Sequence, residues 1–99
     1  MDTGTDPRSG AARTELERVS RRWQELPVDR ALDASGTVRA LAQALADETA
    51  DAAGRPRQEL PDLGPGTLLH QLQVCTWDAA AAGIPDLAER LGQLRRQIA

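Results

Sequence analysis

The sequence predicts an all-α fold, a small bundle of four main helices with one short helical turn. Three observations carry that prediction. Apolar residues recur at helical spacing in four stretches, no stretch alternates with a period of two over more than a few residues, and seventeen of the 99 residues are alanine, the strongest helix former. A chain of this length builds one core, so residues 11 to 99 are expected to form a single domain.

Residues 1 to 10, MDTGTDPRSG, hold no apolar residue after Met1 and are expected to be a disordered tail. The first helix is predicted over 11 to 26, because Leu16, Val19, Trp23 and Leu26 fall on one stripe of a 3.6-residue helix. Pro27 then ends it and opens a short amphipathic turn over 27 to 34, with Val28, Ala31 and Leu32 as its apolar side. A second main helix, 36 to 53, is expected to start from a Ser35 or Thr37 cap, to face Val38, Leu41 and Leu45 inward, and to stop at Gly54.

The stretch RPRQELPDLGPG, 55 to 66, carries three prolines, so it connects rather than packs and permits a longer crossing between otherwise up-and-down helices. Pro65 opens a third main helix reaching about Ala82, and Gly83 and Pro85 separate it from a fourth over 85 to 98. In that last helix Leu87, Leu91, Leu94 and Ile98 form a seam too short for a coiled coil, as a bundle helix would show.

Three segments, RRWQELPVDRAL, VRALAQALAD and LPDLGPGTLLHQLQV followed by DAAAAG, resemble the short all-helical proteins common in high-GC actinobacteria. The resemblance spans most of residues 15 to 99. It implies a helical fold and brings no activity, ligand or partner with it.

Net charge is -3 and every basic side chain is arginine, so the chain as a whole lacks the basic surplus that nonspecific nucleic-acid binding requires. Nothing in the sequence approaches the roughly 20 apolar residues of a membrane span, and the first residues do not read as a secretion signal, so a cytoplasmic location without membrane attachment is expected.

The segment GTLLHQLQVCTWD holds the only histidine, the only cysteine and one of the two tryptophans. On a helical wheel Leu68, Leu72, Cys75, Ala79 and Ala82 make one apolar face, and His70, Val74, Trp77 and Ala81 make a second on the far side. Both faces being apolar, this helix is expected at the centre of the bundle or of an assembly. His70 and Cys75 are about 140° apart around the helix, which denies them the contact a base and a thiolate need, and two ligands are too few for a zinc tetrahedron. Cys75 therefore reads as a small buried apolar residue.

Motifs for phosphate binding, zinc proteolysis and serine hydrolysis are missing, so no enzyme, no cofactor and no metal site is expected. The functional expectation is a noncatalytic interaction or accessory module whose partner is another protein or a second copy. His70, Val74 and Trp77 are the contact residues, with Trp77 weighed against plain core packing beside Trp23. An alternative is a helical regulator touching nucleic acid through Arg18, Arg21 and Arg22. Glu15 and Glu17 stand at pairing distance along the helix and argue against it. A ligand cavity lined by Trp23, Trp77 and His70 is the third reading. Asp47, Glu48 and Asp51 crowd a helix C-terminal half where the helix dipole disfavours them, so Arg55 and Arg57 just downstream or the first-helix arginines are expected to compensate, in preference to a basic partner.

Overall fold

The computed structural model describes residues 7 to 98, with the side chains of 10 to 98. Four helices follow in order: α1 (Pro7–Glu25), α2 (Val28–Ala52), α3 (Pro65–Ala81) and α4 (Leu87–Gln97). There is no strand among the described residues. The fold is all-α, as the periodicity predicts.

Part of the expected tail, residues 1 to 6, lies outside the described residues, whereas 7 to 10 already belong to α1. Pro7 opens that helix, where a residue without an N–H costs nothing.

The expected break between a turn at 27 to 34 and a helix from 36 does not exist. α2 is one helix of 25 residues, with Pro27 at its N-cap in an extended conformation. Ser35 caps nothing: its hydroxyl donates to the carbonyl of Ala31 at 2.8 Å, one turn back. A glycine inside a helix costs about 1 kcal/mol relative to alanine, too little for Gly36 to end a helix that the following leucines anchor.

Both α2 and α3 end in a paired arrangement that uses a glycine in left-handed conformation. After α2, Gly54 has φ of 66°, its N–H donates to the carbonyl of Asp51, and that of Arg55 donates to Ala50 at 2.9 Å. After α3, Gly83 has φ of 78° and Ile84 N–H reaches the Ala79 carbonyl at 3.0 Å. The last carbonyls are thus satisfied, and the chain turns away sharply. α4 begins two residues later than Pro85, at Leu87, because Asp86 takes the cap position with φ of 64°.

Each helix packs chiefly on one partner. α1 lies chiefly against α4 and α2 chiefly against α3, with lighter contact between α1 and α3 and between α2 and α4. The segment between α2 and α3 explains this order. Gln43 accepts a hydrogen bond from Leu60 N–H at 2.8 Å and donates to the Gln58 carbonyl at 3.0 Å, while Arg39 donates to the carbonyls of Leu60 and Pro61. Residues 55 to 63 are therefore tied back along α2, and α3 starts near its middle and runs in the same direction. The crossing that this loop permits is used.

The core is the inner stripe of each helix: Leu16 and Val19 from α1, Val38, Ala42 and Leu45 from α2, Leu68, Leu72 and Ala79 from α3, and Leu91 and Leu94 from α4. Two hydroxyls share it. Thr49 and Thr76 donate to the carbonyls of Leu45 and Leu72 at 2.7 and 2.8 Å, which removes the cost of burying them.

Charge is divided between the helices. α1 carries five arginines against three glutamates and α4 three against one, whereas α2 carries two arginines against five acids. The acids crowding the end of α2 are compensated internally. Glu48 takes both guanidinium nitrogens of Arg90 from α4, at 3.0 and 2.6 Å, and Asp51 takes Arg57 at 3.0 and 2.6 Å. The arginines of α1 and Arg55 play no part in this pairing among the described residues.

Candidate surface on the third helix

α3 is apolar on two sides, as the wheel predicts, but only one is core. Leu68, Leu72, Cys75 and Ala79 are buried, together with Thr76, while Ala82 beyond the helix end is exposed. On the opposite side His70, Val74, Trp77 and Ala81 all face solvent, with Trp77 65% and Val74 40% exposed. The core-packing reading of Trp77 is thereby overturned. Trp23 is the half-buried tryptophan that packs on the core, and Trp77 stands on a different surface. α3 consequently lies at the surface of the monomer and not at its centre.

The exposed stripe is a ridge between two grooves. On the α2 side, Val74 and Asp78 line a cavity of about 370 Å³ with Ala46, Ala50 and the tied-back loop. On the α1 side, Trp77 and Gln73 face Arg13, Leu16, Glu17, Ser20 and Arg21 across a groove of about 480 Å³. Gln73 reaches across this groove, its amide 3.4 Å from the Ser20 hydroxyl. Trp23 and His70 line neither, so the ligand cavity expected from Trp23, Trp77 and His70 does not form.

His70 and Cys75 are separated as their spacing requires: the imidazole is exposed and the thiol is buried. Burial, helped by the nearby Asp78 carboxylate, pushes the Cys75 thiol above its ordinary range. It is a poor nucleophile in the folded protein, since the thiolate is the reactive form. Among the described residues no three histidine, cysteine or acidic side chains come together as a metal would need.

Arg18, Arg21 and Arg22 are dispersed in role. Arg18 pairs with Glu15 at 2.8 Å, Arg22 is half-buried, and Arg21 is exposed on the rim of the Trp77 groove. Glu15 is the hub on this side: it also accepts from Arg95 of α4 at 3.0 Å, and the Arg95 hydrogen bond is the main reason its carboxyl sits below the usual range. The pair along α1 expected between Glu15 and Arg18 is present, whereas Glu17 and Arg21 form no ion pair.

A second apolar surface has no counterpart in the sequence reading. None of the first ten residues of α2 is buried, and Val28 and Leu32 are 77% and 55% exposed. The expected amphipathic turn thus points its larger apolar side chains outward. The start of α2 overhangs most of the bundle, with Ala34 the one apolar residue of that stretch packed on the core, which period alone does not reveal.

No helix of the described residues is long and apolar enough to cross a membrane. Nor does any protein-family model, curated protein or solved structure match the chain.

Proposed function

We propose that the protein is a noncatalytic interaction module that binds a protein partner, a second copy of itself included, through the outer face of α3. The observation that carries this reading is the position of Trp77, a large apolar side chain 65% exposed in a stripe with Val74 and His70. Tryptophan is enriched among the residues that dominate binding energy, because it buries a wide flat surface at little entropic cost. Here it is ringed by polar groups, Gln73, Arg21 and Glu17, as an interface anchor is by its rim.

Two features support a macromolecular partner over a small substrate. The grooves beside Trp77 are open at the surface, and α3 carries a single formal charge, Asp78, so its outer face is read by shape and apolar contact. The test is sedimentation velocity of the wild type and Trp77→Ala over a wide concentration range. The wild type is expected to self-associate and the variant to remain monomeric. A wild type that stays monomeric at millimolar concentration overturns the self-association part of the reading, and so does a variant that associates equally well.

A further inference from the structure

We infer that the occupant of the Trp77 groove is the overhanging start of α2 from a second copy of this chain, an inference that rests on the reading of α3 as a binding surface. Two surfaces that nothing within one molecule explains match each other.

The overhang presents an apolar edge beside an acidic one. Taking Val28 as the reference on the helical wheel, Leu32 lies at about 40°, Asp29 at about 100° and Asp33 at about 140°. Arg30 points away, at about 200°. Val28 and Leu32 are the most and the fourth most exposed of the five large apolar residues at the surface, at 77% and 55%. Gly36 continues the same face at about 80°, and space around it is open. A glycine in an exposed helix interior is a cost that nothing in the monomer requires, and it allows a close approach of another backbone.

The groove presents the complement. Trp77 supplies its exposed apolar surface, with the core residue Leu16 at its floor, and Arg13 and Arg21 lie along the α1 side with Glu17 between them. Its charge is net basic where that of the overhang is net acidic. Length agrees as well: Arg13 to Gln24 covers about 16 Å of helix and Pro27 to Gly36 about 14 Å at 1.5 Å per residue. Val28 and Leu32 then rest on the indole, and Asp29 and Asp33 face Arg21 and Arg13. Pairing the overhang with itself would instead bring Asp29 and Asp33 against their own copies, which like-charge repulsion disfavours.

The contact joins two different surfaces, so it closes into a dimer only when each copy both gives and receives an overhang. Sedimentation velocity on two charge-reversed variants tests it. The first carries Asp29→Arg with Asp33→Arg, the second Arg13→Asp with Arg21→Asp, and circular dichroism verifies that both retain the helical fold. Each alone is expected to self-associate at least tenfold more weakly than the wild type. A one-to-one mixture is expected to recover association, because each variant then meets its complement. Leu32→Asp, at an exposed position that leaves the core untouched, is expected to weaken association tenfold in the same assay. If both charge variants and Leu32→Asp associate as the wild type does while Trp77→Ala does not, the occupant is a different one and only this inference falls. If the mixture fails to recover, the pairing of the two surfaces falls. A monomeric wild type removes both this inference and self-association through α3.

Discussion

Glu15 on α1 and Arg95 on α4 are joined at 3.0 Å across the interface of two helices that are eighty residues apart in the chain. The same carboxylate holds Arg18 at 2.8 Å, and Gly92 passes close enough that a Cβ there would meet the carboxylate at ordinary contact distance, 3.6 Å. One acid thus seats two arginines where α1 meets α4.

A pH dependence follows. Because hydrogen bonding from Arg95 lowers the Glu15 carboxyl below its unfolded value, its contribution is complete above the ordinary glutamate range and is lost as pH falls from that range through the lowered folded value. Glu15→Gln is expected to lower stability at pH 7 and to flatten the acid side of the stability profile. Urea denaturation at a series of pH values from 3 to 7 measures both, and an unchanged acid limb would contradict the role given to this pair.

Stability and association are expected to separate on α3. Leu72 is fully buried, so Leu72→Ala should cost about 2–5 kcal/mol. Trp77→Ala should change unfolding free energy by no more than about 0.5 kcal/mol when measured at a concentration where the protein is monomeric. Chemical denaturation of the two variants in parallel checks the contrast, and a large loss for Trp77→Ala would return that side chain to the core.

Thiol labelling probes the inner face of the same helix. With its pKa raised by burial, Cys75 is expected to react with a thiol reagent far more slowly than a free cysteine near pH 8, and at the free rate in denaturant. The sign is fixed by the shift: below the ordinary thiol range the buried neutral form has its full stabilising effect, which is lost as pH rises past it. Fast labelling of the native protein would mean that α3 does not shield this position.

Asp86 sets two effects against each other. As the one non-glycine residue with positive φ among the described residues, it holds a conformation that glycine adopts freely, and no side-chain hydrogen bond compensates for it. Asp86→Gly is expected to shift stability by no more than about 1 kcal/mol, because relief of the left-handed backbone is offset by a freer unfolded chain and by loss of a carboxylate at the α4 N-terminus, read as the denaturation midpoint at unchanged slope.

Much of this architecture is legible in the residues themselves. Leu16, Val19, Leu45, Leu72, Leu91 and Leu94 announce their burial by spacing, and Gly54 and Gly83 mark helix ends because a left-handed residue is needed there. The dual apolar character of α3 is equally plain, since His70, Val74, Trp77 and Ala81 repeat at intervals of four, three and four. Which of its two faces is covered is another matter. Spacing defines angles within one helix, and burial depends on which other helices stand around it. Trp77 and Val28 were therefore open to the wrong assignment, and so was the partner of Glu48, which turns out to be Arg90 on α4, a helix about whose position the spacing within α2 says nothing. The break expected at Ser35 or Thr37 misleads for a different reason: a residue able to cap a helix reads as a start when the anchoring of the helix on either side is ignored.

The placement of α3 alongside α2, with α1 held by α4, means that a cut in the loop near residue 57 would sever both tight pairings at once. The N-terminal half would keep two helices that scarcely touch, and so would the C-terminal half. Neither piece has a core of its own to collapse around, yet together they contain every contact of the whole. The two halves are expected to be unstructured apart and to reassemble when mixed, which makes the molecule a natural split reporter.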